Sequence, residues 1–314
     1  MRYKKFGSTG VDVSALTVGT WAIGGANWGD VNKADSIRAI HAMLDNGVNS
    51  IDTAPAYNFG ESERVVGEAL VGRRDKVFVT TKTAVYNTKE IPFIKDGRRE
   101  TVLRLCEESL KNLRTDYIDL MVIHWPDTEH NTPVEETMGA LEELKKAGKI
   151  RFVGVSNFNQ EQIEEARRYG VVDALQPPFS MVNRSAEELM KWTSSLGMAN
   201  MTYGSLGAGI LTGAIRTLPN FAPDDMRFVF YDFFKEPKFS RVMKLLTVLD
   251  EIAAAHNAPV AQVAVNWNAQ KDFVSTSLCG VRHEQEAVEN CRGFEWSLSE
   301  EEMTTIDKAI DEYL

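Results

Sequence analysis

Short runs of β-branched and apolar residues alternate with helical segments along almost the whole chain. Parallel strands need crossover connections, so this alternation predicts a parallel sheet. The runs are apolar throughout, which is typical of strands buried on both faces. The predicted strands are 16–20, 48–52, 76–81, 117–124, 150–156, 174–176, 197–203 and 273–278, and the predicted helices are 35–46, 61–70, 99–113, 133–147, 160–168, 186–195 and 238–268.

Eight such units favour a closed α/β barrel of the (β/α)8, or TIM, type over an open sheet. The 314-residue length suits one barrel, so we expect a single domain over 1–314. The first sixteen residues predict an N-terminal β-hairpin around Ser8, Thr9 and Gly10 that caps the bottom of the barrel. The capping-box pattern of Ser299 and Glu302 predicts an extra C-terminal helix.

Charge and cysteine content exclude several classes of function. The net charge of −10 disfavours nucleic acid or an anionic membrane as a partner. No apolar run approaches about 18 residues and no secretory signal is visible, so we expect a cytoplasmic protein. Three cysteines without metal-binding spacing indicate free thiols in a reducing compartment. No H-E-x-x-H, Cys/His cluster or G-x-S-x-G is present, which disfavours a metal site or a serine nucleophile.

Ionisable residues stand at the predicted ends of neighbouring strands. Asp52, Lys82 and His124 end strands two, three and four, and Tyr57 follows strand two by five residues. Each one alone is usually a helix cap, a packing residue or a solvated group. Because barrel active sites lie at the C-terminal ends of the strands, four together point to one site.

These four residue types suit proton transfer to an oxygen atom. A free tyrosine has a pKa of about 10, and a nearby ammonium lowers it, while a carboxylate orients and charges the lysine. A neutral histidine can donate a hydrogen bond to a carbonyl oxygen. The set predicts a general acid acting on a carbonyl, and such a reaction also requires a hydride donor.

Several ordered motifs run along nearly the whole length: SIDTAPAYNFGESERVVGEAL, LRTDYIDLMVIHWPD, GKIRFVGVSNF, GSLGAGILTG and GVRHEQEAVENC. They resemble those of the aldo-keto reductase superfamily, and the arrangement looks most like its bacterial branch. The resemblance implies Asp52, Tyr57, Lys82 and His124 as a catalytic tetrad, with Tyr57 as the acid. The loop after Tyr57 departs from the family pattern, because Asn58 stands where glycine is usual.

The resemblance also implies a nicotinamide dinucleotide, bound without the G-x-G-x-x-G motif, which this sequence lacks. Ser156, Asn157 and Gln176 would hold its carboxamide, and Tyr203 would stack on its ring. The other implied cofactor contacts are Thr20, Trp21, Gly204, Ser205, Leu206, Gly209, Leu211, Gly280, Arg282, Glu286, Glu289 and Asn290.

Two residues of the implied adenosine site argue in opposite directions about the cofactor. Arg282 suits a 2′-phosphate, whereas Glu286 would repel one or accept a hydrogen bond from a ribose hydroxyl. We therefore expect NADPH to be favoured and NADH to be possible.

Aromatic residues in the predicted loops suit a small-molecule carbonyl or alcohol substrate. They are Trp21, Trp28, Tyr86 and Trp125, while the aromatic residues of 228–234 either join them or pack the loops together. Two alternatives stay open. One is a nucleotide-binding regulatory subunit of the same fold, as in channel-associated β-subunits. The other is a barrel isomerase or aldolase that uses no nicotinamide.

Overall fold

The computed structural model describes residues 1–24, 32–220, 231–281 and 283–314. Strands and helices alternate along these residues, as the sequence predicts. In chain order the strands are β1 (Tyr3–Lys5), β2 (Asp12–Ser14), β3 (Leu16–Gly19), β4 (Ser50–Asp52), β5 (Phe78–Thr83), β6 (Val85–Tyr86), β7 (Ile94–Lys95), β8 (Ile118–Ile123), β9 (Ile150–Ser156), β10 (Ala174–Gln176), β11 (Ala199–Thr202) and β12 (Thr276–Gly280).

Eight of these strands form a closed, entirely parallel barrel in the order β3, β4, β5, β8, β9, β10, β11 and β12, with β12 paired to β3. The predicted barrel is therefore confirmed. The surrounding helices are α1 (Lys33–Asp45), α2 (Glu61–Ala69), α3 (Arg99–Leu113), α4 (Val134–Lys146), α5 (Gln160–Ala166), α6 (Glu187–Ser195), α7 (Lys238–Ala255), α8 (Val260–Gln270), α9 (Glu284–Arg292) and α10 (Glu300–Tyr313).

The antiparallel pair β1–β2 closes the N-terminal end of the barrel, as predicted. Phe6 is fully buried there, with its ring centre 4.9 Å from that of Phe78, the first residue of β5. The hairpin approaches the start of β11 closely, because Ser8 N–H donates to the Gly197 carbonyl oxygen at 2.8 Å. Gly7 has a φ of +53°, and a Cβ there would lie 2.5 Å from the same oxygen. Glycine is thus required at this contact.

Side-chain caps explain where several helices begin. Asn32 accepts hydrogen bonds from two backbone N–H groups at the start of α1. Asn159 with Gln162, and Ser299 with Glu302, form reciprocal capping boxes at α5 and α10. The C-terminal helix predicted from the Ser299 and Glu302 pattern is therefore confirmed.

The prediction of one helix over 238–268 is wrong, because this segment forms α7 and α8. Asn257 adopts a left-handed φ of +49° just after α7, which ends the helical path. Pro259 lacks an N–H and disfavours a helical residue before it, so α8 begins anew after it. The apolar pattern continues across the break because both helices pack on the same core.

The thiols of Cys106, Cys279 and Cys291 are buried and unpaired, in agreement with the prediction of free cysteines. Burial raises the pKa of Cys106 and of Cys279 to about 12, so both are uncharged thiols near neutral pH. None of the helices in the described ranges has the length and hydropathy needed to cross a membrane.

Candidate active site

A buried ion pair lies at the C-terminal end of the barrel. Asp52 is the last residue of β4, and Lys82 is the last but one of the neighbouring β5. Lys82 Nζ donates to Asp52 Oδ1 at 2.6 Å and to the Thr53 carbonyl oxygen at 2.8 Å. Both charged side chains are at most 2% exposed. A buried charge is tolerable only when it is paired and hydrogen-bonded, and this arrangement satisfies both conditions.

Tyr57 lies in the loop after β4, directly beside this pair. The ammonium of Lys82 is 4.8 Å from the centre of the Tyr57 ring. The next three residues, Asn58, Phe59 and Gly60, all have a positive φ, of +47°, +53° and +76°. This left-handed turn directs the chain from Tyr57 into α2. The non-glycine residues after Tyr57 thus adopt a conformation that glycine adopts more readily.

The protonation of Tyr57 differs from a simple expectation based on a neighbouring ammonium. Burial raises the pKa of Tyr57, and this outweighs the lowering caused by the charge of Lys82 and by its hydrogen bond to the phenol. Burial lowers the pKa of Lys82, but the charge of Asp52, together with that of Tyr57 once it ionises, more than offsets this, so its pKa lies above the ordinary value. Near neutral pH the pair is a neutral phenol beside an ammonium.

His124 follows β8, and its backbone N–H donates to the Thr83 carbonyl oxygen at 3.0 Å. Its ring meets the Tyr57 ring edge-on, with the ring centres 5.9 Å apart. Burial, followed by the charge of Lys82, lowers the pKa of His124 well below its ordinary value, so the ring is neutral. Within the described ranges its buried Nδ1 has no hydrogen-bond partner. A neutral ring beside the phenol suits hydrogen bonding to a substrate oxygen.

Two polar residues from adjacent strands continue the site. Gln176, at the end of β10, donates from Nε2 to Asp52 Oδ2 at 2.8 Å. Ser156, at the end of β9, donates from its hydroxyl to the Gln176 carbonyl oxygen at 2.7 Å. The structure therefore connects residues predicted to hold the cofactor with the carboxylate of the ion pair.

Asn157 forms hydrogen bonds with two other predicted site residues, His124 and Tyr203. It has a φ of +60°, and its Nδ2 donates to the His124 carbonyl oxygen at 3.0 Å. Its Oδ1 accepts a hydrogen bond from the Tyr203 hydroxyl at 2.9 Å. The amides of Asn157 and Gln176 offer the donors and acceptors that a carboxamide requires, so this set fits a nicotinamide.

The glycine-rich segment after β11 has an open backbone. Gly204 and Gly209 have positive φ angles, and a Cβ built on either would meet no atom of the described residues within 4 Å. Successive left-handed residues expose backbone N–H groups to an anion, so this segment fits the diphosphate of a dinucleotide. Leu211 is fully buried in the core, which leaves only its backbone for such a contact. Ser205 is also buried, and its hydroxyl donates to the Leu278 carbonyl oxygen at 2.8 Å.

Other predicted cofactor residues lie just after β3, at the end of β12, on the helix that follows it and just before a short 3-10 helix. Thr20 is buried and donates from its hydroxyl to the Asp52 carbonyl oxygen at 2.8 Å. Gly280 ends β12, next to α9. α9 carries Glu286, Glu289 and Asn290, and Leu206 precedes the short 3-10 helix Gly207–Thr212. Arg282 lies outside the described residues.

Aromatic rings surround the tetrad at the mouth of the barrel. The Trp21 ring centre lies 6.4 Å from that of Tyr57. Trp125 follows His124 and contacts Phe93, with ring centres 6.2 Å apart. The Tyr86 ring instead lies under the guanidinium of Arg104 on α3, at 4.8 Å. Trp28 lies outside the described residues.

Phe93 also belongs to the site, although the sequence did not predict it. Its ring centre is 5.9 Å from that of His124, because the small β6–β7 hairpin brings it there. A pattern search does not detect strands of two residues, so no available signal predicted this contact. In the later loop, Phe233 and Phe234 are buried. These two therefore pack the loop, which is one of the two interpretations of 228–234, while 228–230 lie outside the described residues.

Two carboxylates and a histidine form a cluster outside the site, and the carboxylates have hydrogen-bond partners within the protein. Ligand atoms of Asp96, Asp127 and His130 lie within 4.8 Å of one another. Asp96 already accepts hydrogen bonds from the Arg98 guanidinium at 2.7 and 2.8 Å. Asp127 Oδ2 accepts from Gly97 N–H at 2.9 Å. Protein donors therefore satisfy both carboxylates.

Comparison with known proteins gives consistent results. The model described as the aldo/keto reductase family matches residues 15–311. Aldo-keto reductase YhdN of Bacillus subtilis strain 168 is 37% identical, covering 99% of this chain and 94% of the relative. The NADH-specific methylglyoxal reductase of Escherichia coli K12 is 32% identical, covering 97% of each chain. The structure of a glycerol dehydrogenase from Gluconobacter oxydans matches with a TM-score of 0.91 and 33% identity, covering 99% of this chain and 96% of the other.

Proposed function

Because the chain belongs to the aldo/keto reductase family, we propose that it reduces an aldehyde or ketone to the alcohol as a single barrel domain, with Tyr57 as the proton donor. The observation that carries the proposal is the Tyr57 ring between a fully buried Lys82–Asp52 pair and the ring of His124; burial raises the pKa of Tyr57 and lowers that of His124, which favours their neutral forms. This set supplies a proton and a hydrogen bond to one oxygen atom, which is what reduction of a carbonyl requires.

Each residue of this set has a separate role in the reduction. A nicotinamide held at this site would supply the hydride, with its two electrons, for the carbonyl carbon. His124 donates a hydrogen bond to the carbonyl oxygen and orients it. Tyr57 transfers its proton to the same oxygen, and the ammonium of Lys82 stabilises the phenolate that remains. Asp52 holds Lys82 charged and in place. Alcohol oxidation is the same sequence reversed, with the phenolate as the base.

We assign the nicotinamide end of the cofactor to four residues. Ser156, Asn157 and Gln176 would hold the carboxamide, and Tyr203 would pack against the ring and fix which face is presented. The open backbone at Gly204 and Gly209 supports a diphosphate contact. Trp21 and Trp125 line the carbonyl pocket. A cytoplasmic location is supported by the three free cysteines.

NADPH is the proposed preferred cofactor, with NADH as the alternative. The presence of Arg282 supports NADPH, whereas Glu286 opposes a 2′-phosphate by charge repulsion. Measuring kcat/KM with both cofactors decides this, with Glu286→Gln as the comparison. That variant should improve the use of NADPH relative to NADH. A thousandfold preference of the unaltered protein for NADPH would show that Glu286 does not oppose the phosphate.

The test of the function is loss of the absorbance of reduced nicotinamide with a broad panel of aldehydes and ketones. We expect turnover with at least one carbonyl. Cofactor binding without turnover on the whole panel would instead favour the nucleotide-binding regulatory subunit. A protein that neither binds nor oxidises either cofactor would favour an isomerase or aldolase.

A further inference from the structure

Asn87 joins two loops at the mouth of the barrel. Its Nδ2 donates to the carbonyl oxygen of Ala56, the residue before Tyr57, at 2.7 Å. Its Oδ1 accepts a hydrogen bond from the backbone N–H of Phe93 at 2.8 Å. One side-chain amide therefore connects the Tyr57 loop with the β6–β7 hairpin. An amide suits this position because it carries both a donor and an acceptor.

Phe93 is held in an uncommon conformation at this contact. Its φ of +61° is left-handed, which a bulky residue rarely adopts unless its surroundings fix it. The ring meets the rings of His124 and Trp125 edge-on, at 5.9 and 6.2 Å between centres. Even so, 41% of the residue is exposed. The ring is thus fixed beside the reactive histidine and still accessible to another molecule.

Trp21 lies next to the other member of the reactive pair. Its ring centre is 6.4 Å from that of Tyr57, and 48% of the residue is exposed. The rings of Tyr57 and His124 are themselves 5.9 Å apart. A carbonyl that reaches both therefore has its other substituents close to Phe93 or Trp21. Exposed aromatic faces bury flat, apolar groups well.

We propose that Phe93 is a specificity-determining wall of the carbonyl pocket and that Asn87 is the positioning residue that holds it beside His124. The site then favours carbonyls attached to a flat, apolar group over small polar carbonyls. This inference rests on the proposed carbonyl reduction, and it adds the substrate class and a residue pair that selects it.

The first test compares nitrobenzaldehyde with glyceraldehyde in steady-state kinetics. Phe93→Ala should raise KM for nitrobenzaldehyde about tenfold or more, the range for losing apolar pocket contacts, and should raise KM for glyceraldehyde by a smaller factor, so the ratio of the two kcat/KM values falls. Tyr169→Ala is the matched control, because Tyr169 is also 41% exposed but lies between α5 and β10, at the opposite end of the barrel. This control variant should leave the kinetic constants for both substrates unchanged.

The second test separates positioning by Asn87 from general support of the fold. Asn87→Leu removes both hydrogen bonds and should reduce the preference for nitrobenzaldehyde while Phe93 is still present. In the Phe93→Ala background the same change should have no further effect on the ratio of kcat/KM values, because Asn87 acts through Phe93. Should Asn87→Leu fail to fold, Asn87→Ser replaces it, since its short hydroxyl cannot span both loops.

The outcomes separate this inference from the proposed function. An unaltered protein that reduces no carbonyl contradicts the proposed function and this inference together. A protein that reduces carbonyls with the same substrate ratio in Phe93→Ala contradicts only the assignment of Phe93. Independent, additive effects of the Asn87 and Phe93 changes contradict only the positioning role of Asn87.

Discussion

Gln176 and Asp52 share a buried hydrogen bond, from Nε2 to Oδ2, of 2.8 Å. The other oxygen of the same carboxylate accepts from Lys82 at 2.6 Å. One carboxylate therefore lies between the ammonium that tunes Tyr57 and an amide proposed to hold the cofactor. Cofactor binding and proton transfer are thus expected to depend on the same network.

Removing the amide should destabilise the fold. Gln176→Leu leaves a buried acceptor of Asp52 without its donor, which costs about 1–3 kcal/mol of unfolding free energy. Urea unfolding measures this. The control is Gln160→Leu at the exposed start of α5, where the change should stay within about 0.5 kcal/mol. Equal stabilities of the two variants would mean that the hydrogen bond to Asp52 contributes nothing.

Breaking the ion pair should separate stability from activity. Lys82→Met leaves Asp52 as an uncompensated buried charge, and we expect a loss of about 3–5 kcal/mol. Adding Asp52→Asn removes that charge and should recover most of the stability, while carbonyl reduction stays abolished. The two quantities are read from urea unfolding and cofactor oxidation. A Lys82→Met protein as stable as the unaltered one would be inconsistent with a charged pair.

The depressed pKa of His124 predicts how stability changes with pH. Unfolded histidine binds a proton below about pH 6.5, whereas folded His124 resists protonation because its pKa lies well below that value. The unfolded state then binds more protons, so the unfolding free energy falls as pH drops below about 6.5. His124→Gln lacks this dependence. The difference between the two unfolding free energies should therefore change between about pH 7 and 5, and a constant difference would contradict a neutral His124.

Two helical glycines should respond oppositely to alanine. In α2, a Cβ at Gly67 would lie 2.4 Å from the Asn112 carbonyl oxygen, so Gly67→Ala forces α2 and α3 apart and should cost about 1–3 kcal/mol. In α4, a Cβ at Gly139 would meet no atom within 4 Å in the part of the chain that the structure describes, so Gly139→Ala should stabilise by up to about 1 kcal/mol. Thermal unfolding compares them. Melting temperatures that shift in the same direction in both variants would contradict the close contact between α2 and α3.

The barrel and the clustering of Asp52, Lys82 and His124 at one end of it were predictable from the sequence because both follow from topology. Parallel strands place their C-terminal ends on one edge, so residues at those ends, such as Asp52 and His124, had to meet. The break between α7 and α8 was visible in Pro259, but the continuous apolar pattern concealed it. The contact of Phe93 with His124 depends on a left-handed residue in a hairpin of two-residue strands, which no periodicity reveals.

The pKa of Tyr57 is a property that the sequence alone does not determine. The sequence identifies the neighbouring ammonium, and Lys82 does act to lower the pKa. The sequence does not show how deeply the phenol is buried, and burial has the larger effect on the pKa of Tyr57. Charge partners can be read from spacing, whereas their balance against desolvation needs the three-dimensional packing.

The most direct test of the central claim is carbonyl reduction by Tyr57→Phe, which keeps the ring and removes the acidic proton. We predict that kcat falls at least about a hundredfold, the contribution expected of a positioned general acid, while the Kd for the reduced cofactor is nearly unchanged. Tyr169→Phe serves as the control and should turn over normally. Near-normal turnover by Tyr57→Phe, with the cofactor bound, would contradict the assignment of Tyr57 as the proton donor.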